Sequence, residues 1–114
     1  MPTPAQTLDV SSAIANIRSA QQALDSIMAT TGDSAVLSDL TATYRELDNQ
    51  MTLLLAAQNA ADDTAFAAAT ASLKARAGTL KDEEARVQKT VGKIAMAAHI
   101  VGYIAQAVTL IAAL

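Results

Sequence analysis

Residues 37–54 read LSDLTATYRELDNQMTLL, and within them Leu37, Leu40, Tyr44, Leu47, Met51 and Leu54 recur at steps of three and four. That spacing puts six apolar side chains on one stripe of an α-helix, the seam of a heptad-packed bundle. The second helix is therefore predicted over residues 35–59, with Asp33 or Ser34 capping its first turn and Asn59 ending it.

Working outward toward the start, Val10, Ala13, Ile17, Ala20, Leu24 and Ile27 repeat the same steps and predict a first helix over 8–29. Thr7 or Asp9 is the expected cap, and Gly32 is expected to take a left-handed conformation between the two helices. Toward the end, Asp62-Asp63-Thr64 supplies a cap and favourable negative charge for a third start. From there a bulky apolar residue returns every seventh position: Phe66, Leu73, Leu80, Val87, Ile94, Val101 and Val108. The alternate seam position holds smaller or polar groups (Thr70, Ala77, Glu84, Val91, Ala98, Ala105, Ala112), which predicts close antiparallel packing. The unbroken phase favours one continuous or bent helix over 62–113, about 75 Å long at 1.5 Å per residue. Gly78 with Thr79 and Asp82, and separately Gly92, offer local breaks that would give four helices instead.

Composition agrees with this reading. Roughly a quarter of the 114 residues are alanine, and aromatic residues amount to 3%. Alanine is the strongest helix former, and each one buries little area, so the core is expected to be thin. The fold class is all-α: an antiparallel bundle of three to four helices with heptad-type packing and a long C-terminal helix, in one domain spanning residues 1–114.

Charge is segregated along the chain. Two arginines stand against eight carboxylates in residues 1–73, six cations against three in 74–93, and residues 94–114 carry no formal charge. That last stretch is apolar nearly all round, because a second seam of Met96, Ile100, Ile104, Ala107, Ile111 and Leu114 runs beside the first. Such a helix needs several neighbours or lipid to cover it. His99, Tyr103 and Gln106 share one narrow polar stripe on it with Gly92, Ala95 and Gly102.

The chemistry these residues offer is sparse. There is no cysteine, hence no disulfide, thiol nucleophile or thiolate metal site, which suits a reducing compartment or a secreted helical protein alike. His99 is the sole histidine, without a carboxylate for ten residues on either side, so a Ser-His-acid arrangement would have to form across helices. No Glu-x-x-His pair occurs to build a helical metal site, and the four glycines are too scattered to cradle phosphate. The basic stretch is diluted by Asp82-Glu83-Glu84 and lacks aromatic neighbours, which argues against nucleic acid. No enzyme, cofactor or metal is expected. With no basic segment ahead of an apolar one, no Sec-type signal peptide is read, and the expected location is cytoplasmic, with membrane association as the variant.

Two functional readings follow. In the first the chain is a non-enzymatic interaction protein that self-associates through Leu37, Leu40, Tyr44, Leu47, Met51, Leu54, Phe66, Leu73, Leu80, Val87, Ile94, Val101 and Val108 and through its apolar tail, or meets another protein there. In the second it is membrane-active. Arg86, Lys89 and Lys93 would meet anionic lipid, Ile100, Ile104 and Ile111 would enter the bilayer, and the His99, Tyr103 and Gln106 stripe would line a pore.

Overall fold

The first helix, α1 (Pro4–Thr30), begins four residues earlier than the apolar pattern does. Its start is set by a reciprocal cap: the Gln6 amide donates to Thr3 Oγ1 at 3.1 Å and the Thr3 amide donates to Gln6 Oε1 at 3.0 Å, with Pro4 in the first turn where no amide donor is needed. Thr7 and Asp9 are thus inside the helix. Its end does not use Gly32. Thr31 turns to an extended conformation (φ −80°, ψ 136°), and no glycine among the described residues has positive φ. Asp33 then caps α2 (Ser34–Gln58), its Oδ1 accepting from the amides of Ala35 at 2.9 Å and Val36 at 3.2 Å. Asn59 closes α2, and Asp62 Oδ1 accepts from the Ala65 amide at 2.8 Å to open α3 (Asp63–Ala75).

The structure is a computed structural model that describes residues 2–91 and 95–114, with side-chain surroundings for 2–90 and 98–114. Two further helices complete it, α4 (Ala77–Val91) and α5 (Ala95–Ala112). The break between α3 and α4 falls at Arg76, two residues ahead of the expected Gly78, and it is slight. The Arg76 amide still donates to Ser72 and Leu73, and its carbonyl accepts from Thr79 at 3.0 Å. The expected break at Gly92 lies outside the described residues.

Packing decides against a single 75 Å helix. The fourth and fifth helices lie against each other, and the longest dimension of the whole molecule is 47 Å. Counting α3 and α4 as one interrupted rod, four rods form a ring in which α1 meets α2, α2 meets α3 and α4, α4 meets α5, and α5 returns to α1. Side-chain pairs fix the directions. Gln21 reaches Asp48 while Thr41 reaches Met28, so α1 and α2 are antiparallel. Thr43 reaches Glu83 while Glu46 reaches Arg76, so α2 runs opposite to the third rod. Gln6 Nε2 donates to the Leu114 carbonyl at 3.4 Å, setting the start of α1 beside the end of α5. The fold is an all-α antiparallel bundle.

The core follows the predicted stripes in α1, where Val10, Ala13, Ile17, Ala20, Leu24 and Ile27 are all buried. In the third rod Phe66, Leu73, Leu80 and Val87 are buried across the Arg76 break. The fifth helix buries the second of its two expected seams rather than the first. Its buried line is Ile100, Ile104, Ala107, Val108 and Ile111, while Val101 is half-buried and Ala98 and Ala112 face outward. The phase resets because α5 is a separate rod free to choose its own face. The seven-residue repeat persists through Val101 and Val108 only because that helix is apolar on more than one side. Ile94 of the first seam and Met96 of the second lie outside the residues whose side chains are described.

Candidate functional site

The residues expected to form an intermolecular seam are mostly spent inside the chain. Leu40, Leu47, Met51, Leu54, Phe66, Leu73, Leu80, Val87 and Val108 belong to one continuous core. Tyr44 and Val101 pack partly against it, and Leu37 is 40% exposed. Leu37 falls off the seam because α2 turns a neighbouring line inward, with Leu40, Thr43, Leu47, Gln50, Leu54 and Ala57 buried. Ile100, Ile104 and Ile111, expected to contact lipid, are fully buried, so in this fold they face protein. Arg86 and Lys89 are exposed on α4, and Lys93 lies outside the described residues. Among the described residues, no helix is long and apolar enough to cross a membrane.

Between α2 and the third rod the contact is polar. Thr43 Oγ1 donates to Glu83 Oε2 at 2.6 Å, with Thr43 fully buried and Glu83 5% exposed. The Arg86 guanidinium stands 3.6 Å from the same carboxylate. One turn away, Arg76 donates to both carboxylate oxygens of Glu46 at 3.0 Å, and Gln50 Nε2 donates to Glu46 Oε1 at 3.2 Å. Gln50 Oε1 is buried without a partner among the described residues. Next to this ladder, partial burial raises the Glu84 carboxyl above its ordinary value, partly offset by Lys81. On the α1–α2 side the Tyr44 hydroxyl is likewise raised, chiefly by the Asp25 carboxylate, then by burial and Asp48.

The opposite side of the bundle has another character. One flank of α1 carries Ser12, Asn16, Ser19, Ala23 and Ser26 at steps of four and three, and it faces His99, Tyr103, Gln106 and Leu110 of α5. Two shallow grooves run along this junction. The first, of about 490 Å³, is walled by Ser12, Asn16, Ala105, Gln106, Thr109 and Leu110. The second, of about 400 Å³, joins Ser19, Gln22, Ala23 and Ser26 to His99 and Tyr103. Neither wall contains a charged carboxylate, ammonium or guanidinium group, whereas the groove between α2 and α4 holds Asp39, Asp82, Arg86 and Lys89. Leu8, 64% exposed, stands one turn before Ser12 on the same flank of α1.

Chemically this junction offers hydroxyls, amides and one imidazole. Ser19 and Ser26 line one groove with His99, but no acid lines it to orient the ring, and no three of His, Asp and Glu gather anywhere among the described residues to hold a metal. The α5 half of this surface was visible in the sequence as the His99, Tyr103 and Gln106 stripe. The α1 half carries a fainter signal, a polar repeat at 12, 16, 19 and 26 with the same helical period as the core line beside it. Comparison with protein-family models, with curated proteins and with solved structures finds no match for this chain.

Proposed function

We propose that the protein is a non-enzymatic interaction protein that self-associates, and that it does so through the outer α1–α5 surface rather than through the heptad seams. The observation that carries this reading is the absence of charge from both α1–α5 grooves in a molecule of net charge −3. Two copies repel through most of their surfaces, and contact at an uncharged face desolvates no ion. An under-covered C-terminal helix adds little to it. The single chain exposes 6135 Å², close to the roughly 5,900 Å² expected of a monomeric globular protein of its mass.

The membrane reading asks more of the chain. For Ile100, Ile104 and Ile111 to meet lipid, α5 must leave the bundle and uncover the apolar side of α1. A single measurement separates the two readings: the mass in solution across a concentration series, with and without anionic liposomes. Self-association predicts a mass and a melting temperature that both rise with concentration, and indifference to lipid. A monomer at every concentration overturns it, and co-sedimentation with anionic vesicles at low salt supports the membrane reading in its place.

A further inference from the structure

We propose that polar side chains on the two flanks of α2 set the hand of the bundle, deciding on which side of α2 the third rod lies and on which side α1 lies. Asp39, Thr43, Glu46 and Gln50 follow one flank at steps of four and three, and Thr41, Tyr44 and Asp48 follow the other. The buried line of Leu40, Leu47 and Leu54 runs between them. The first flank meets the third rod: Thr90 Oγ1 donates to Asp39 Oδ2 at 3.5 Å, Thr43 donates to Glu83, and Arg76 donates to Glu46. The second meets α1, where Gln21 Nε2 donates to Asp48 Oδ1 at 2.9 Å and Thr41 Oγ1 donates to Met28 Sδ at 3.7 Å.

The apolar residues do not make this choice. Both neighbours run antiparallel to α2, and each offers it a line of large buried side chains at seven-residue intervals, Val10, Ile17 and Leu24 on α1 and Leu73, Leu80 and Val87 on the third rod. The connections, residues 31–33 and 59–62, join adjacent antiparallel helices on either side equally well. Exchanging the two rods keeps apolar lines against apolar lines, so the polar contacts carry the difference. In the present hand Thr43 is small and fully buried, and the Glu83 carboxylate comes within 2.6 Å of its hydroxyl. In the opposite hand Glu83 meets the flank where the Tyr44 ring stands at that height and Asp48 adds a like charge. A carboxylate buried this deeply is costly once its hydrogen bond is lost.

The chain has no cysteine, so a pair of introduced thiols reports the hand directly. Asp39→Cys with Thr90→Cys should close an intramolecular disulfide under mild oxidation, and Thr41→Cys with Thr90→Cys should not, each read as a mobility shift of the monomer band on a non-reducing gel. Two backgrounds then remove the choice. Thr43→Val, Gln50→Leu and Glu83→Leu together strip the first flank and its partner, while Tyr44→Thr with Asp48→Gln gives the second flank the chemistry of the first. In both, the Asp39/Thr90 bridge should fall about twofold and the Thr41/Thr90 bridge should appear, the division expected of two hands of equal energy. The helical spectrum should stay unchanged. A Thr41/Thr90 bridge in the otherwise unaltered chain overturns the proposal, and so does an Asp39/Thr90 bridge that stays complete in either background. Loss of the helical spectrum on stripping also overturns it, because these side chains would then hold the bundle together rather than choose its hand.

Discussion

The two sides of the bundle are held by different forces. Where α1 meets α5 the fifth helix turns in a dry line: Ile100, Ile104 and Ile111 are fully buried and carry no polar atom, and their attraction depends on area and fit alone. Where α2 meets the third rod, Thr43, Glu46, Gln50, Arg76 and Glu83 interrupt the apolar line with directional contacts that tolerate only one register. A dry seam can slide by a residue when both faces are apolar, and α5 buries the second of its two apolar seams rather than the first. A hydrogen-bonded seam cannot slide without leaving a carboxylate buried and alone.

Substitutions can break each side in its own way. The largest effect is expected from a bare charge in the core shared by both. Leu47→Asp or Leu80→Asp should abolish the cooperative transition, since either places an unpaired carboxylate at a fully buried position, while Ala75→Asp on the exposed side of α3 should shift the melting temperature little. Equal loss at all three would dissolve the distinction between core and surface.

On the dry side the response should scale with volume removed. Ile104→Ala should cost about 2–5 kcal/mol in denaturant unfolding and Ile104→Val about 0.5–1.5 kcal/mol. On the polar side it should depend on the partner. Thr43→Val leaves Glu83 without its 2.6 Å donor and should cost about 1–3 kcal/mol. Combining it with Glu83→Leu should recover much of that loss, because replacing a buried polar pair as a unit is often neutral or stabilising. A double variant as unstable as the two singles added together would show that this contact is not a coupled pair.

Two smaller effects test the edges of the polar side. A raised Glu84 carboxyl means the folded state holds that proton more tightly than the unfolded chain does. Stability therefore falls as pH climbs from the ordinary glutamate value through the raised one, and the loss remains at neutral pH. Glu84→Gln should thus stabilise the protein slightly at pH 7 and not at pH 3, as read from melting curves at the two values. Gly78 lies inside α4 with open space where a side chain would begin, so Gly78→Ala should stabilise by about 0.5–1 kcal/mol, the smallest change foreseen.

How much of this was written legibly in the residues differs between the same regions. The α1 stripe and the Phe66, Leu73, Leu80 and Val87 line could be read directly, because only polar residues and small alanines flank them and leave a single face of large apolar side chains. The same holds for Asp33 and Asp62, whose side chains can reach only the amides just ahead. In α5 apolar residues on several sides offer two seams; periodicity does not rank them, and packing against α1 and α4 selects the one through Ile100, Ile104, Ala107 and Ile111. Thr43, Gln50 and Glu83 were invisible for a related reason. A polar residue on an apolar line reads as a blemish until its partner, forty positions away in the case of Thr43, is known to stand opposite. The Thr3-Pro4-Ala5-Gln6 cap, by comparison, is legible as a cap but not as the start of an apolar pattern, because no large apolar residue stands between it and Leu8.

The closure of the ring between α1 and α5 has a cost in time. Helices α1 and α2 are neighbours in the chain and in space, so they can pair as soon as both exist. The other flank of α1 waits for a helix that begins about sixty-five residues after α1 ends. At ribosomal speeds of roughly 5–20 residues per second that delay is about 3–13 s, long compared with the microseconds in which helices form. Throughout it, the apolar side of α1 that α5 will cover stands bare on a nascent hairpin. The driest seam of the finished molecule is the stickiest surface of the unfinished one, and the hydroxyls and amides of Ser12, Asn16, Ser19 and Ser26 beside it keep that surface narrow while the chain is still being made.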